Sequence, residues 1–466
     1  MRVLLACLLA SAVAVAADPI PKPPTSLVDY VTKKDPAFAW KLTGKTDSAA
    51  GTVYDLELTS QTWQGITWDH VVQVYVPKGS KPQATMVLWN QGGKPNAGSG
   101  AIGLLISQKV GAPVAFLYGV PKQPLYLDDK TGGLTTTAPK DPKVGRLVED
   151  ALIAQTFVKY LETKDETWPL LFPMVKSVTA AMDALQPFAK KELGTDVTGF
   201  VVTGASKRGW TSWLTAASGD TRVKAIAPMV IDTLNFPVQM KNQVAAFGKP
   251  SEMIADYTRA KLVPIPDTTE AKKLWQMIDP FVYRVTLTLP KMIINGTNDP
   301  YWPQDALNSY WDDLPGDKRV CYVPNAGHGL QEVDEKSGKP ELIPLRAINT
   351  LSAFCAAIIF DKKLPTLTWK WDEKELRHTV VANGTVSASR AWWAESDTRD
   401  FRKSRWKAKD LTKGNAVIEI SGPVEFQLGI KPPEKGFRAS FLEYEFKTDN
   451  GPLHLSTQIR ILEAKK

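Results

Sequence analysis

Val201-Val202-Thr203-Gly204-Ala205-Ser206-Lys207-Arg208-Gly209-Trp210 is the stretch that decides the fold. A β-branched run, the mark of a buried strand, stops at a glycine. A serine follows two residues later, and a helix-like apolar pattern begins at Gly209. Strand, sharp turn and helix in this order lift the Ser206 hydroxyl to the top of a sheet, and small neighbours let the backbones crowd together there. A serine hydroxyl is a weak nucleophile until a base takes its proton and a third group orients that base. An acid and then a histidine, each behind a later strand, are therefore expected.

The chain has four histidines. His70 starts an early strand, and His378 and His454 lie in a β-rich tail. His328, in Asn325-Ala326-Gly327-His328-Gly329, alone sits in a glycine-flanked loop directly after an α/β strand. Two acids compete. Asp299 follows the strand Met292-Ile293-Ile294, and Asp232 follows the strand before it. Both places are the carboxyl ends of strands, where such sheets carry their chemistry. Asp299 is preferred because its strand immediately precedes the histidine's own, and Asp232 is the alternative acid. The expected oxyanion donors are the backbone N–H of Lys207 and one from Gln91 or Gly92, in the loop after the third strand. Each element alone is weak evidence, since glycine–serine pairs and aspartates after strands are common. The order serine, acid, histidine carries the argument.

Working outward, strand patterns at 52–58, 71–76, 85–89, 113–117, 199–203, 224–231, 291–294 and 319–323 alternate with helical ones at 101–109, 146–161, 174–193, 209–218 and 345–360. Such alternation means an α/β fold, a mostly parallel sheet covered on both faces. Residues 128–144 read as an exposed loop. Beyond Leu364, short alternating segments predict a small antiparallel β domain. The expected divisions are a signal peptide at 1–17, a loose leader at 18–46, the α/β domain at 47–363 with a helical cap at about 233–290, and a β-sandwich-like domain at 364–466. Aromatic residues Phe236, Phe247, Trp275 and Phe281 of the cap are candidates to line a pocket, as is Trp302, three residues after Asp299.

At 466 residues, 43% hydrophobic and 23% charged, the composition is that of a folded globular protein. The net charge of +8 is spread along the chain without a nucleic-acid-binding motif, so nucleic acid is not an expected partner. Arg2, the apolar run from Val3 to Val15 and the small residues at 14–17 read as a secretory signal, too short for a membrane anchor. Export to an extracellular, periplasmic or endolysosomal space follows. Cys7 leaves with the signal; Cys321 and Cys355 lie in apolar segments and read as buried free thiols, with a disulfide as the alternative. Thr203-Gly204-Ala205-Ser206-Lys207 also resembles the opening of a short-chain dehydrogenase nucleotide loop, and Tyr257-x-x-x-Lys261 matches that class. The later glycines are displaced, however, and some 110 residues of α/β pattern precede the loop, so a nucleotide cofactor is not expected.

Gly204-Ala205-Ser206-Lys207-Arg208-Gly209-Trp210, Ile231-Asp232-Thr233-Leu234-Asn235, Ile278-Asp279-Pro280-Phe281 and Asn295-Gly296-Thr297-Asn298-Asp299 together resemble the PhoPQ-activated pathogenicity-related protein family. The resemblance spans nearly all of the mature chain. It implies a secreted α/β-hydrolase fold with a C-terminal β domain. The elbow is also similar to that of glucuronoyl esterases, in which a basic residue follows the serine. That likeness motivates the expectation that Lys207 or Arg208 holds an oxyanion or an acidic substrate group; pairing with a carboxylate is the alternative. The expected function is a secreted serine hydrolase acting on a small-molecule, carbohydrate or peptide ester, with no metal or cofactor. The alternatives are an amidase or peptidase using the same residues, and a secreted signal with a cell-surface partner that does not depend on turnover.

Overall fold

The computed structural model describes residues 22–128, 130–333, 337–412 and 418–465. The signal read at 1–17 lies outside them. The chain opens with α1 (Ser26–Thr32), β1 (Ala39–Asp47), β2 (Gly51–Trp63) and β3 (Ile66–Pro77), then β4 (Thr85–Asn90), α2 (Ala97–Val110) and β5 (Val114–Leu117). Three short strands follow, β6 (Leu125–Leu127), β7 (Leu134–Thr135) and β8 (Arg146–Leu147), forming a small sheet of their own, with β7 inside the expected loop and the other two flanking it. Helices α3 (Glu149–Thr163) and α4 (Leu171–Glu192) lead to β9 (Gly199–Ala205), α5 (Lys207–Ala217) and β10 (Val223–Met229). The cap segment holds α6 (Phe236–Phe247), α7 (Ala255–Arg259) and α8 (Thr269–Ile278), and β11 (Lys291–Gly296), β12 (Lys318–Val323) and α9 (Leu345–Ile359) complete the α/β region.

These strands form one sheet in the order β1-β2-β3-β5-β4-β9-β10-β11-β12. The pairs from β5 through β12 are parallel, while β1, β2 and β3 join antiparallel at one side. With the elbow after β9, this is the α/β-hydrolase fold. Alternate residues feed two cores, as strands covered on both faces must. Met86, Leu88, Phe200, Val202 and Ile226 join the core beneath α4 and α5. Val87, Val201, Ala225, Met292 and Ile294 join the one beneath α2 and α9. Cys321 and Cys355 are buried free thiols in the second core.

Two expected divisions change. The segment from Ser26 to Asp47, read as leader, is part of the fold: Leu27 and Val31 of α1 are buried, and β1 pairs with β2 from Ala39 to Asp47. Its weak alternation hid it, because an edge strand exposes most of its residues. The C-terminal strands, β13 (Thr366–Asp372), β14 (Arg377–Ser396), β15 (Lys407–Asp410), β16 (Ile418–Gly429), β17 (Phe437–Thr448), β18 (Gly451–Ser456) and β19 (Arg460–Glu463), belong to a single hydrogen-bonded sheet, not two stacked ones. The long β14 pairs with β13 and β16 in its first half and with β17 and β15 in its second, with a register shift on each side. Nor does this sheet stand apart. Ser456 accepts from the Tyr322 amide of β12, and Leu442, Tyr444 and Leu453 share the core of α9.

Candidate active site

Ser206 sits at φ 59°, ψ −130°, a left-handed backbone that only a sharp turn imposes on a serine. Its amide donates to Met229 O of β10 (2.9 Å) and its carbonyl accepts from Trp210 (3.0 Å), which pins the turn at both ends. The elbow's glycines are required by closeness. A Cβ on Gly204 would lie 2.7 Å from Arg208 O, and one on Gly209 would lie 2.7 Å from the Ile231 side chain. Asn90, at the end of β4, clamps the turn by donating to Thr203 O (2.8 Å), Arg208 O (3.2 Å) and Ser212 Oγ (3.1 Å).

A tight cleft of about 30 Å³ opens here, walled by Ser206, Lys207, Trp210, Phe236, Tyr257, Tyr301, Trp302 and His328, with Asp150 beside them. The His328 loop follows β12, and Asp299 follows β11. His328 Nδ1 and Asp299 Oδ2 are 2.8 Å apart, and Asp299 Oδ1 accepts the Tyr301 amide (2.8 Å). His328 Nε2 is buried with no hydrogen-bond partner among the described residues. Of the two acids, then, Asp299 meets the histidine. Asp232 lies deeper, taking hydrogen bonds from Tyr310 and from Asn295 Nδ2 (2.8 Å). Burial pushes its carboxyl up to about 6, against the pull of those two donors. Asn295, the first residue of a glycosylation sequon, is only 4% exposed, so that amide is closed to modification.

Two expected site residues are committed elsewhere, and a third flanks the site. Arg208 is turned from the cleft: its Nε donates to Val120 O (2.6 Å), and its two terminal nitrogens clasp Glu149 (2.6 and 2.7 Å). It cannot hold a substrate acid while so engaged. Gln91 donates its amide to Leu117 O (2.7 Å), so that N–H is closed to an oxyanion. Gly92 is outside the cleft wall, but the Arg208 guanidinium occupies the space where its Cβ would stand. Of the expected donors, this leaves the Gly92 amide and that of Lys207, the first residue of α5, which has no partner inside its own helix.

Lys207 does reach the cleft, but its ammonium is shared between Glu149 and Asp150 (3.1 Å each). Burial works to raise the Glu149 carboxyl, yet Arg208 and Lys207 hold it down at about 2. Asp150 also accepts from the Tyr257 hydroxyl (3.1 Å). Sequence reasoning missed Glu149, Asp150 and Tyr301, and weighed Tyr257 only within a misleading motif. Tyr301 packs its ring on His328, centroids 4.4 Å apart. Its position directly after Asp299-Pro300 was the available signal. Of the cap aromatics, Phe236 lines the cleft, with Trp275 stacked behind it at 3.9 Å. Phe247 instead lies under Arg402 and Phe281 under Arg284.

Comparison with known proteins follows this geometry. The sequence model described as PhoPQ-activated pathogenicity-related protein matches residues 27–402. Autocrine proliferation repressor protein A of Dictyostelium discoideum is 30% identical over 458 residues, covering 91% of this chain and 86% of that one. Among solved structures, acetyl xylan esterase 1 from Thermoanaerobacterium sp. aligns at 14% identity and a TM-score of 0.44, over 66% of this chain and 90% of that one. Carboxyl esterase 2 from Tuber melanosporum aligns at 16% and 0.42, over 72% and 98%. The S-formylglutathione hydrolase from Agrobacterium tumefaciens aligns at 13% and 0.41, over 68% and 99%. With its model matched over most of the length, the chain belongs to the PhoPQ-activated pathogenicity-related protein family.

Proposed function

We propose that this protein is an exported serine hydrolase that cleaves carboxylic esters through Ser206, His328 and Asp299. One observation carries the reading: His328 is tied through Nδ1 to Asp299, while its unpartnered Nε2 belongs to the cleft that Ser206 walls. Held in that tautomer, the imidazole takes the Ser206 proton at Nε2 as the oxygen attacks the ester carbonyl. The charge that develops on the carbonyl oxygen falls to the amides of Lys207 and Gly92. His328 then returns the proton to the departing alcohol, and water cleaves the acyl-serine by the same steps in reverse. The tightness of the cleft favours a short acyl group. Trp302 and Phe236 supply its apolar walls.

Turnover of a series of p-nitrophenyl esters, by wild type and by His328→Ala, tests this. The reading requires acetate to be cleaved faster than octanoate, with turnover lost in the variant. Equal hydrolysis by both proteins would refute it. A second reading rests on the relative named for repressing proliferation. If this chain is a signal that works without turnover, a Ser206→Ala protein keeps full activity in a proliferation assay. If catalysis is the signal, the variant is silent.

A further inference from the structure

Beside Asp299 lies a second, smaller cavity of about 10 Å³, bordered by Asp232, Asn295, Asp299, Trp302, Gln304 and Tyr322. Trp302 is its partition from the active cleft, since the indole borders both. Five buried polar atoms on these residues have no partner among the described residues: Trp302 Nε1, Gln304 Nε2, Gln304 Oε1, Asn295 Oδ1 and Tyr322 Oη. All four side chains are more than nine-tenths buried. Each such group left unpaired keeps the full cost of its lost hydration, so a cluster of five calls for a partner.

The chemistry of the five atoms selects that partner. Trp302 Nε1 can only donate. Asn295 Oδ1 can only accept, because the Nδ2 of the same amide is committed to Asp232. Gln304 offers one of each, and the Tyr322 hydroxyl does either. A cation would face two N–H groups, and an anion would face Asp232 and Asp299. Only a small molecule that both donates and accepts fits, in a space of about one probe sphere.

We propose that this cavity binds one structural water, and that Gln304 and Tyr322, by holding it, are positioning residues for the Asp299 carboxylate. The second half rests on the proposed hydrolase reading; the first does not. Each Asp299 oxygen has a lone pair beyond the bonds it makes to His328 and to the Tyr301 amide, so the water donates to it without displacing either. The carboxylate then has a third donor besides His328 and the Tyr301 amide.

The test joins a crystal structure at about 1.5 Å to rates of fluorophosphonate labelling across pH, for wild type, Gln304→Leu and Tyr322→Phe. The expected result is an ordered water bonded to at least three of the five atoms in wild type and lost in Gln304→Leu. Both variants label about tenfold more slowly, the scale of a small misplacement of a catalytic group. Their acid limb moves to higher pH, because Asp299 has lost a donor to its ionised form. A merely structural role would lower thermal stability and leave rate and pH profile alone, which would overturn the positioning claim. A cavity without the water, or with an ion at coordination distances, would overturn the water site. Wild-type protein that does not label at all would refute the hydrolase reading and the positioning role with it. The diffraction arm would still decide the water.

Discussion

Arg208 stands where the common elbow has its second glycine, and the structure explains how the chain tolerates it. Its side chain leaves the elbow entirely, crossing to Val120 O and Glu149, while Gly209 supplies the close approach to β10 one residue later. The guanidinium in turn fills the space beside Gly92. Gly92→Ala would therefore push it out of a bidentate ion pair. We expect a loss of about 1–3 kcal/mol, measured by urea unfolding, together with slower labelling of Ser206. The two acids separate as cleanly. Asp299→Asn, which leaves size intact but removes the charge that orients His328, should lower ester turnover by about 10³–10⁴-fold. Asp232→Asn should cost about tenfold or less in the same assay. At this scale the sequence was most legible where a residue's place in the fold follows from position at a strand end, as for Ser206, Asp299 and His328. It was least legible where a partner is distant. Nothing local to Arg208 announces Glu149, 59 residues away in the chain, so its charge read as a candidate substrate contact.

Between elements, strands buried on both faces and long amphipathic helices were readable from their periodicity to within a few residues. Errors fell at edges and ends. The helix expected from Arg146 starts at Glu149, because β8 and the extended Val148 precede it. β1 was missed because its pattern is nearly all exposed. The cap was legible as helical, but not which aromatics face inward, since that depends on how α6 and α8 cross. Their joint is the Phe236–Trp275 stack, one ring on the cleft wall and the other buried beneath it. Trp275→Ala should destabilise the protein by about 3–5 kcal/mol in thermal or urea unfolding. It should also raise KM for esters more than it lowers kcat, because the wall moves while the Asp299–His328 pair does not.

Across the whole molecule, the C-terminal sheet is bonded to the α/β region through a buried charge cluster. Arg346 of α9 pairs with Glu332 (2.9 Å) and with Glu443 of β17, and Glu443 also accepts from Trp392 Nε1 (2.7 Å) and bonds His454 Nδ1 (2.9 Å). The sequence predicted the β region but not this weld, whose central pair, Arg346 and Glu443, lies 97 residues apart. Burial works to raise the Glu443 carboxyl, but Arg346 outweighs it and holds it at about 2, below the ordinary 4.5. A carboxyl depressed on folding stabilises above its unfolded pKa, and that contribution is lost as pH falls through the folded value. Wild-type Tm should therefore drop steeply from about pH 4.5 to about 2. Glu443→Gln, already destabilised at neutral pH because Arg346 keeps Glu332 but loses its buried carboxylate partner, should show a flatter acid limb.

Each step of the proposed chemistry depends on Ser206 being an activated nucleophile. Labelling of folded protein by a fluorophosphonate probe, wild type beside Ser206→Ala, tests it most directly. Stoichiometric labelling of wild type at a single site, absent from the variant, is the predicted result. Well-folded wild type that stays unlabelled, or a variant that labels equally, would contradict the account.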